Sequence, residues 1–172
     1  AVLLQFLMLT SYALDGFAHA AEALAGRAVG ARQADALRQT VRLTTLWALA
    51  CAGLISLVFV AGAPWWPGLF TSLEPVIEQV RAHYFWICLV QLVGVWGYQL
   101  DGVYLGSGRT AIMQYSVVGS ALLVFLPLWW WLQPLGNHGL WLAFLAFNGA
   151  RGISLGAVYY YLNRRRRWLL PA

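Results

Sequence analysis

Tyr84-Phe85-Trp86-Ile87-Cys88-Leu89-Val90-Gln91-Leu92-Val93-Gly94-Val95-Trp96-Gly97-Tyr98-Gln99-Leu100-Asp101-Gly102 decides the fold class of this chain. Between Ala82 and Leu105 the one fully charged side chain is Asp101. A stretch this long and this apolar suits the hydrocarbon core of a bilayer, which takes about 20 helical residues to cross. A carboxylate placed there costs roughly 2.5–3.5 kcal/mol on the insertion scale, so it marks a site or an ion pair. The frame occurs twice: Tyr12-Ala13-Leu14-Asp15-Gly16 sets a second aspartate at the same offset from a tyrosine and a leucine.

Composition extends that reading to the whole chain. Hydrophobic residues make up 61% and charged residues 10%, with a mean hydropathy of +0.66. An average soluble domain is about 25% charged. A net charge of +5 in a soluble protein would suggest nucleic acid as a partner, but here it sits in a few loops and a tail. It therefore reads as topology information, with no nucleic-acid partner. Cys51 and Cys88 both fall in apolar stretches and read as small buried hydrophobes.

Spanning-length segments run approximately over residues 2–24, 43–62, 82–105, 111–132 and 140–162. In lipid each must satisfy its own backbone hydrogen bonds, so all are expected to be helices of an all-α polytopic membrane protein. The chain starts in mid-pattern at Ala1-Val2-Leu3-Leu4, which reads as the C-terminal part of something longer. Arg27, Arg32, Arg38 and Arg42 follow the first segment, Arg109 the third, and Arg164-Arg165-Arg166-Arg167 the fifth. That asymmetry puts these loops and the basic tail, residues 163–172, in the cytoplasm. Trp65, Trp66, Trp86, Trp129, Trp130, Trp131 and Trp141 then gather at the outer ends as an interfacial belt. In the outer connection Ser72 is expected to cap a short helix with Pro75 in its first turn and Glu74 and Glu78 near its positive end. Pro127 is expected to kink the fourth segment, or free a carbonyl there. Gly26-x-x-x-Gly30, Gly102-x-x-x-Gly106 and Gly152-x-x-x-Gly156 are candidates for close helix contact.

Two polar faces carry the candidate chemistry. In the first segment Tyr12, Asp15, His19 and Glu22 share one helical face. That face must meet protein or a water-filled cavity, either as a proton relay or cation site or as a structural network. The structural alternative pairs Asp15 with an intramembrane arginine, and Arg151, near the centre of the fifth segment, is expected to contact Asp15 or Glu22. In the third segment Gln91, Gly94, Tyr98 and Asp101 share a face with no base in the same helix. A carboxylate buried without a counter-charge takes up a proton readily, which favours a coupling role for Asp101 with Tyr98 beside it. His-Glu-x-x-His, Walker and Gly-x-Ser-x-Gly patterns do not occur, so no enzyme and no cofactor is expected. His83 and His138 stand at outer helix ends without a clustered metal ligand.

The chain resembles the multidrug and toxin extrusion (MATE) transporters, in particular their DNA-damage-inducible branch. The resemblance runs through Ser11-Tyr12-Ala13-Leu14-Asp15-Gly16, Ala21-Glu22-Ala23-Leu24-Ala25-Gly26-Arg27-Ala28-Val29-Gly30-Ala31-Arg32 and Leu69-Phe70-Thr71-Ser72-Leu73. It continues in Val95-Trp96-Gly97-Tyr98-Gln99-Leu100-Asp101-Gly102 and Gly136-Asn137-His138-Gly139-Leu140-Trp141. It implies five of the six helices of a C-terminal lobe, the eighth to twelfth of the family, with the N-terminal lobe outside this chain. It also implies proton- or sodium-driven export of organic, usually cationic, compounds across a bacterial inner membrane. Asp101 falls where some members carry a cation-coupling aspartate; the best-attested proton-coupling aspartate of the bacterial branches belongs to a first helix not in this chain. Two other readings compete. A lipid-linked saccharide flippase of the same superfamily would be expected to show several basic residues in its cavity, and only Arg151 lies within a span. A non-transporting membrane subunit would use its buried charges for packing alone.

Overall fold

The computed structural model describes residues 2–165 and Trp168, and its regular structure is helix throughout. In chain order the elements are α1 (Val2–Gly30), α2 (Ala34–Gly62), α3 (Trp66–Phe70), α4 (Glu74–Gly106) and α5 (Thr110–Ser120). A π-helical turn (Ala121–Phe125), α6 (Leu126–Trp131), a 3-10 turn (Gln133–Leu135) and α7 (Gly136–Arg164) follow. The fold class is all-α, and every anticipated segment lies in a helix save Leu132 at the end of the fourth. Ala34–Gly62, Thr110–Trp131 and Gln133–Arg164 are long and apolar enough to cross a bilayer by length and composition. The polar residues of α1 and α4, among them Asp15, His19, Glu22, Gln91 and Asp101, set those two helices apart.

Helix α4 is the central post, with α1, α2 and α7 around it. Ala21, Ala25 and Ala28 of α1 are buried with Leu37 and Val41 of α2, Leu100, Val103 and Tyr104 of α4, and Leu155 and Leu162 of α7. Leu14, Ala48, Ala52 and Val95 form a second cluster, and Phe59 packs with Val80, Tyr84, Ile87 and Cys88 in a third. Buried polar groups tie the same helices together. Gln99 Nε2 donates to Thr44 Oγ1 at 2.7 Å, and the Tyr104 hydroxyl donates to the Leu155 carbonyl at 2.7 Å. Trp168 also joins the core, its ring 5.6 Å from that of Tyr104 with the Arg109 guanidinium 5.7 Å above it. The remaining arginines of the basic tail, Arg166 and Arg167, lie outside the described residues.

Of the three glycine pairs, one makes a seam. A Cβ built on Gly102 or Gly106 would overlap the carbonyl oxygens of Ala18 and Glu22, and one on Gly26 would stand 3.0 Å from the Gly106 oxygen. Only glycine lets the α1 and α4 backbones approach this closely. Gly30 and Gly156 face open space among the described residues, so in their pairs only Gly26, against Gly106, and Gly152, against Trp96, are packed.

Three local expectations change. Ser72 does not cap a separate short helix: α4 begins at Glu74 behind Leu73, whose N–H donates to Thr71 Oγ1 at 3.2 Å, and runs unbroken through the core. Trp141 is buried, edge-on to Phe144, while Trp65, Trp130 and Trp131 stay exposed. Before Pro127 the helix widens into the π turn, where the Leu126 N–H donates to the Ala121 carbonyl. Proline has no N–H and its ring presses on the carbonyl four residues back, and a wider turn accommodates both.

Candidate functional site

Asp101 and Arg151 meet between α4 and α7. Arg151 Nη2 donates to Asp101 Oδ2, with the two side chains 12% and 17% exposed. The Arg151 stem passes over Gly97, one turn earlier on α4, where a Cβ would make an ordinary 3.6 Å contact with it. The Arg151 guanidinium also lies over the Tyr98 ring, 5.3 Å from its centroid. A buried guanidinium is thus held by a carboxylate on one side and an aromatic face on the other, each favouring its charge.

This corrects the expected partner of Arg151, which is neither Asp15 nor Glu22, and supplies Asp101 with the base that its own helix lacks. Depth along the bundle was the right criterion but neighbour order decided the outcome. Helix α4 stands between α1 and α7, and α1 turns its stripe the other way. Tyr12 is exposed, Asp15 is half-buried, and His19 Nδ1 sits 3.4 Å from Glu22 Oε2 with side chains 78% and 37% exposed. Asp15 and Glu22 are therefore not gathered into one site with Asp101.

Polar neighbours that the sequence reading did not single out complete the α4–α7 face. Asn148 is buried, donates to the Phe144 carbonyl at 2.9 Å, and packs its amide over Gly94. Ser154 Oγ is 2.6 Å from Ser116 Oγ and donates to the Arg151 carbonyl at 3.0 Å, which brings α5 to the same place. The signal was present: Asn148, Arg151 and Ser154 are three apart in sequence and so share a face of α7. Among the described residues, Asp101 Oδ1, Arg151 Nε and both polar atoms of Gln91 are buried without a protein hydrogen-bond partner. A group left so costs about 1–3 kcal/mol, which makes this face receptive to a polar or ionic guest.

Toward the start of α4, away from Asp101, His83 and His138 stack at 4.4 Å, and Trp86 Nε1 donates to His138 Nδ1 at 3.0 Å. They brace α4 against the start of α7. Cys88 is buried and Cys51 half-buried, and both are free thiols.

The MatE family profile matches residues 1–131. The chain belongs to the MATE family. Members of this family are transporters and not enzymes. DNA damage-inducible protein F of Escherichia coli (strain K12) is 38% identical over 177 residues, covering 98% of this chain and 35% of that protein. The fold matches the crystal structure of the eukaryotic MATE transporter AtDTX14 with a TM-score of 0.84 at 19% identity. That match covers 98% of this chain and 40% of the other. The MATE chain described here thus spans between a third and a half of the length of these relatives.

Proposed function

We propose that this chain forms five membrane-spanning helices of the C-terminal lobe of a cation-coupled antiporter. The complete protein would export organic, mainly cationic compounds by alternating access across a bacterial inner membrane, with the arginine-bearing ends of these helices in the cytoplasm. The observation that carries the reading is the buried Asp101–Arg151 pair beneath Tyr98, beside polar atoms that lack a protein partner. One carboxylate has two claimants. A proton or sodium ion that takes Asp101 must displace Arg151, and an arginine stripped of its counter-ion in a low-dielectric interior is costly, by about 3–5 kcal/mol where such pairs have been broken. Cation binding therefore changes the relative stability of two α4–α7 arrangements, which is the differential affinity that an exchange cycle needs. Asp101 and Tyr98 are the first coupling residues in this reading. Asp15 and Glu22 are second, on the α1 face that would meet the other lobe.

The pair itself favours one other reading, that Asp101 and Arg151 only specify helix packing. Both readings are tested in the protein expressed from its complete gene, by dye export driven by an imposed pH or sodium gradient. Asp101→Asn should abolish gradient-driven export. The double variant Asp101→Asn with Arg151→Gln, which removes both charges together, should recover expression but not export. Export restored to the wild-type level in the double variant would make the pair structural. The flippase reading loses support because the one intramembrane arginine is already neutralised by Asp101.

A further inference from the structure

A recess lies on the opposite side of α4 from the acid–base pair. It is a groove of about 550 Å³ between α2, α4 and α7, lined by Val41, Leu92, Trp96, Gly152, Ile153 and Gly156 among others. We propose that this groove seats one acyl chain of an anionic glycerophospholipid, with the phosphate at Arg38 and Arg42.

Three features converge on that occupant. The first is length. On α7 the lining runs from Gly149 to Tyr159, about 15 Å at the helical rise of 1.5 Å per residue. That is half of a hydrocarbon core about 30 Å thick, or the depth of one leaflet. The groove also lies entirely toward the arginine-bearing ends of its three helices, since Val41 and Thr45 are near the start of α2 and Leu92 to Leu100 lie in the second half of α4.

The second is charge. The groove's α2 and α7 walls are joined below by Arg38 Nε donating to Asn163 Oδ1 at 2.9 Å. Arg38 Nη1 also lies 3.3 Å from Asp35 Oδ1, but that carboxylate is 96% exposed and so holds it weakly. Arg42, one turn further into the bundle, is exposed. Two guanidinium groups therefore stand where an apolar slot reaches the headgroup level. The cytoplasmic leaflet is the negatively charged one.

The third is the character of the surrounding surface. The exposed face of α1 sets Tyr12 and His19 among Met8 and Leu9, a mixed face that protein or water would cover in part. The surfaces flanking the groove carry Leu46, Trp47, Leu54 and Ile153, exposed and apolar, as a face covered by lipid would. A further segment of protein is thus expected over α1 and not over this groove. The choice of leaflet rests on the orientation proposed above; the groove and its arginines do not.

The test is native mass spectrometry of the protein expressed from its complete gene, titrated with phosphatidylglycerol or phosphatidylcholine of identical acyl chains. The wild type should retain phosphatidylglycerol in preference to phosphatidylcholine. Arg38→Gln and Arg42→Gln should each lower that preference on the order of fivefold, the ratio that corresponds to about 1 kcal/mol per arginine at the membrane surface. A side chain added at Gly156 has open space and one at Gly149 makes only an ordinary 3.6 Å contact with Val93. Gly156→Leu and Gly149→Leu should therefore fill the groove and remove the retained lipid while leaving the thermal midpoint in detergent unchanged. Equal retention of the two lipids by the wild type, or full retention in both leucine variants, overturns the proposal. Lipid mass is read without any transport, so a failure of the antiport reading leaves this result standing.

Discussion

Tyr98 acts on Arg151 through its ring, and that has a consequence for substitution. The guanidinium lies over the aromatic face, an arrangement worth about 0.5–2 kcal/mol. Tyr98→Phe should keep that contact and the folded stability, whereas Tyr98→Leu should lose it and lower the thermal midpoint. If gradient-driven export falls in Tyr98→Phe while the midpoint holds, the hydroxyl serves transport and not packing. Tyr104 is the opposite case. Its hydroxyl donates to a backbone carbonyl on α7, so Tyr104→Phe should cost about 1 kcal/mol in denaturation and leave coupling untouched. The sequence reading singled out Asp101 and Tyr98 from period and apolar context, because a charge in an apolar stretch is conspicuous by itself, and the structure brings both against Arg151. The same reading placed Arg151 against the wrong acid, because a helical period says which residues share a face and not which helix faces it. Gln99 with Thr44 was missed for the same reason: each is unremarkable alone and informative only as a pair.

Among the elements, the α1–α4 seam is the contact least tolerant of change. Gly102→Ala or Gly106→Ala would drive a methyl group into a backbone carbonyl, which cannot swing aside as a side chain can. Overpacking of this kind typically costs about 1–3 kcal/mol, and against backbone the upper end is expected. Gly30→Ala, by contrast, meets open space and should leave the denaturation midpoint within experimental scatter. If all three variants melt alike, the seam is not a close contact. The spacing of the three glycine pairs is identical in sequence, so no pattern could rank them; only the opposing backbone does. Pro127 was legible as a disturbance, but its form, a π turn upstream instead of a sharp break, depends on how the helix shares the strain. Pro127→Ala restores the missing donor and should slow amide hydrogen exchange across Ala121–Phe125.

At the level of the whole molecule, the two kinds of exposed surface predict what covers each. A spin label at a cysteine replacing His19 should collide rarely with lipid-dissolved oxygen in the reconstituted complete protein. A label replacing Leu54 or Leu57, both exposed on α2, should collide often. Equal oxygen accessibility at the two faces would mean that the α1 stripe does not meet the other half of a transporter. The helical segments were readable because hydropathy is a local property of the chain. The inward turn of Trp168 onto Tyr104 and Tyr159 was not, since it follows from three-dimensional vacancy at the end of the bundle. The glycine seam has one more implication, for motion. Two rods whose main chains touch have no lubricating layer of side chains between them, so α1 and α4 must travel as a single chassis. Asp15 and Asp101 ride on it together at a constant separation. In the transport cycle proposed above, the two carboxylates would therefore move as fixtures of one body, and any change in their surroundings must come from the helices that slide past that body.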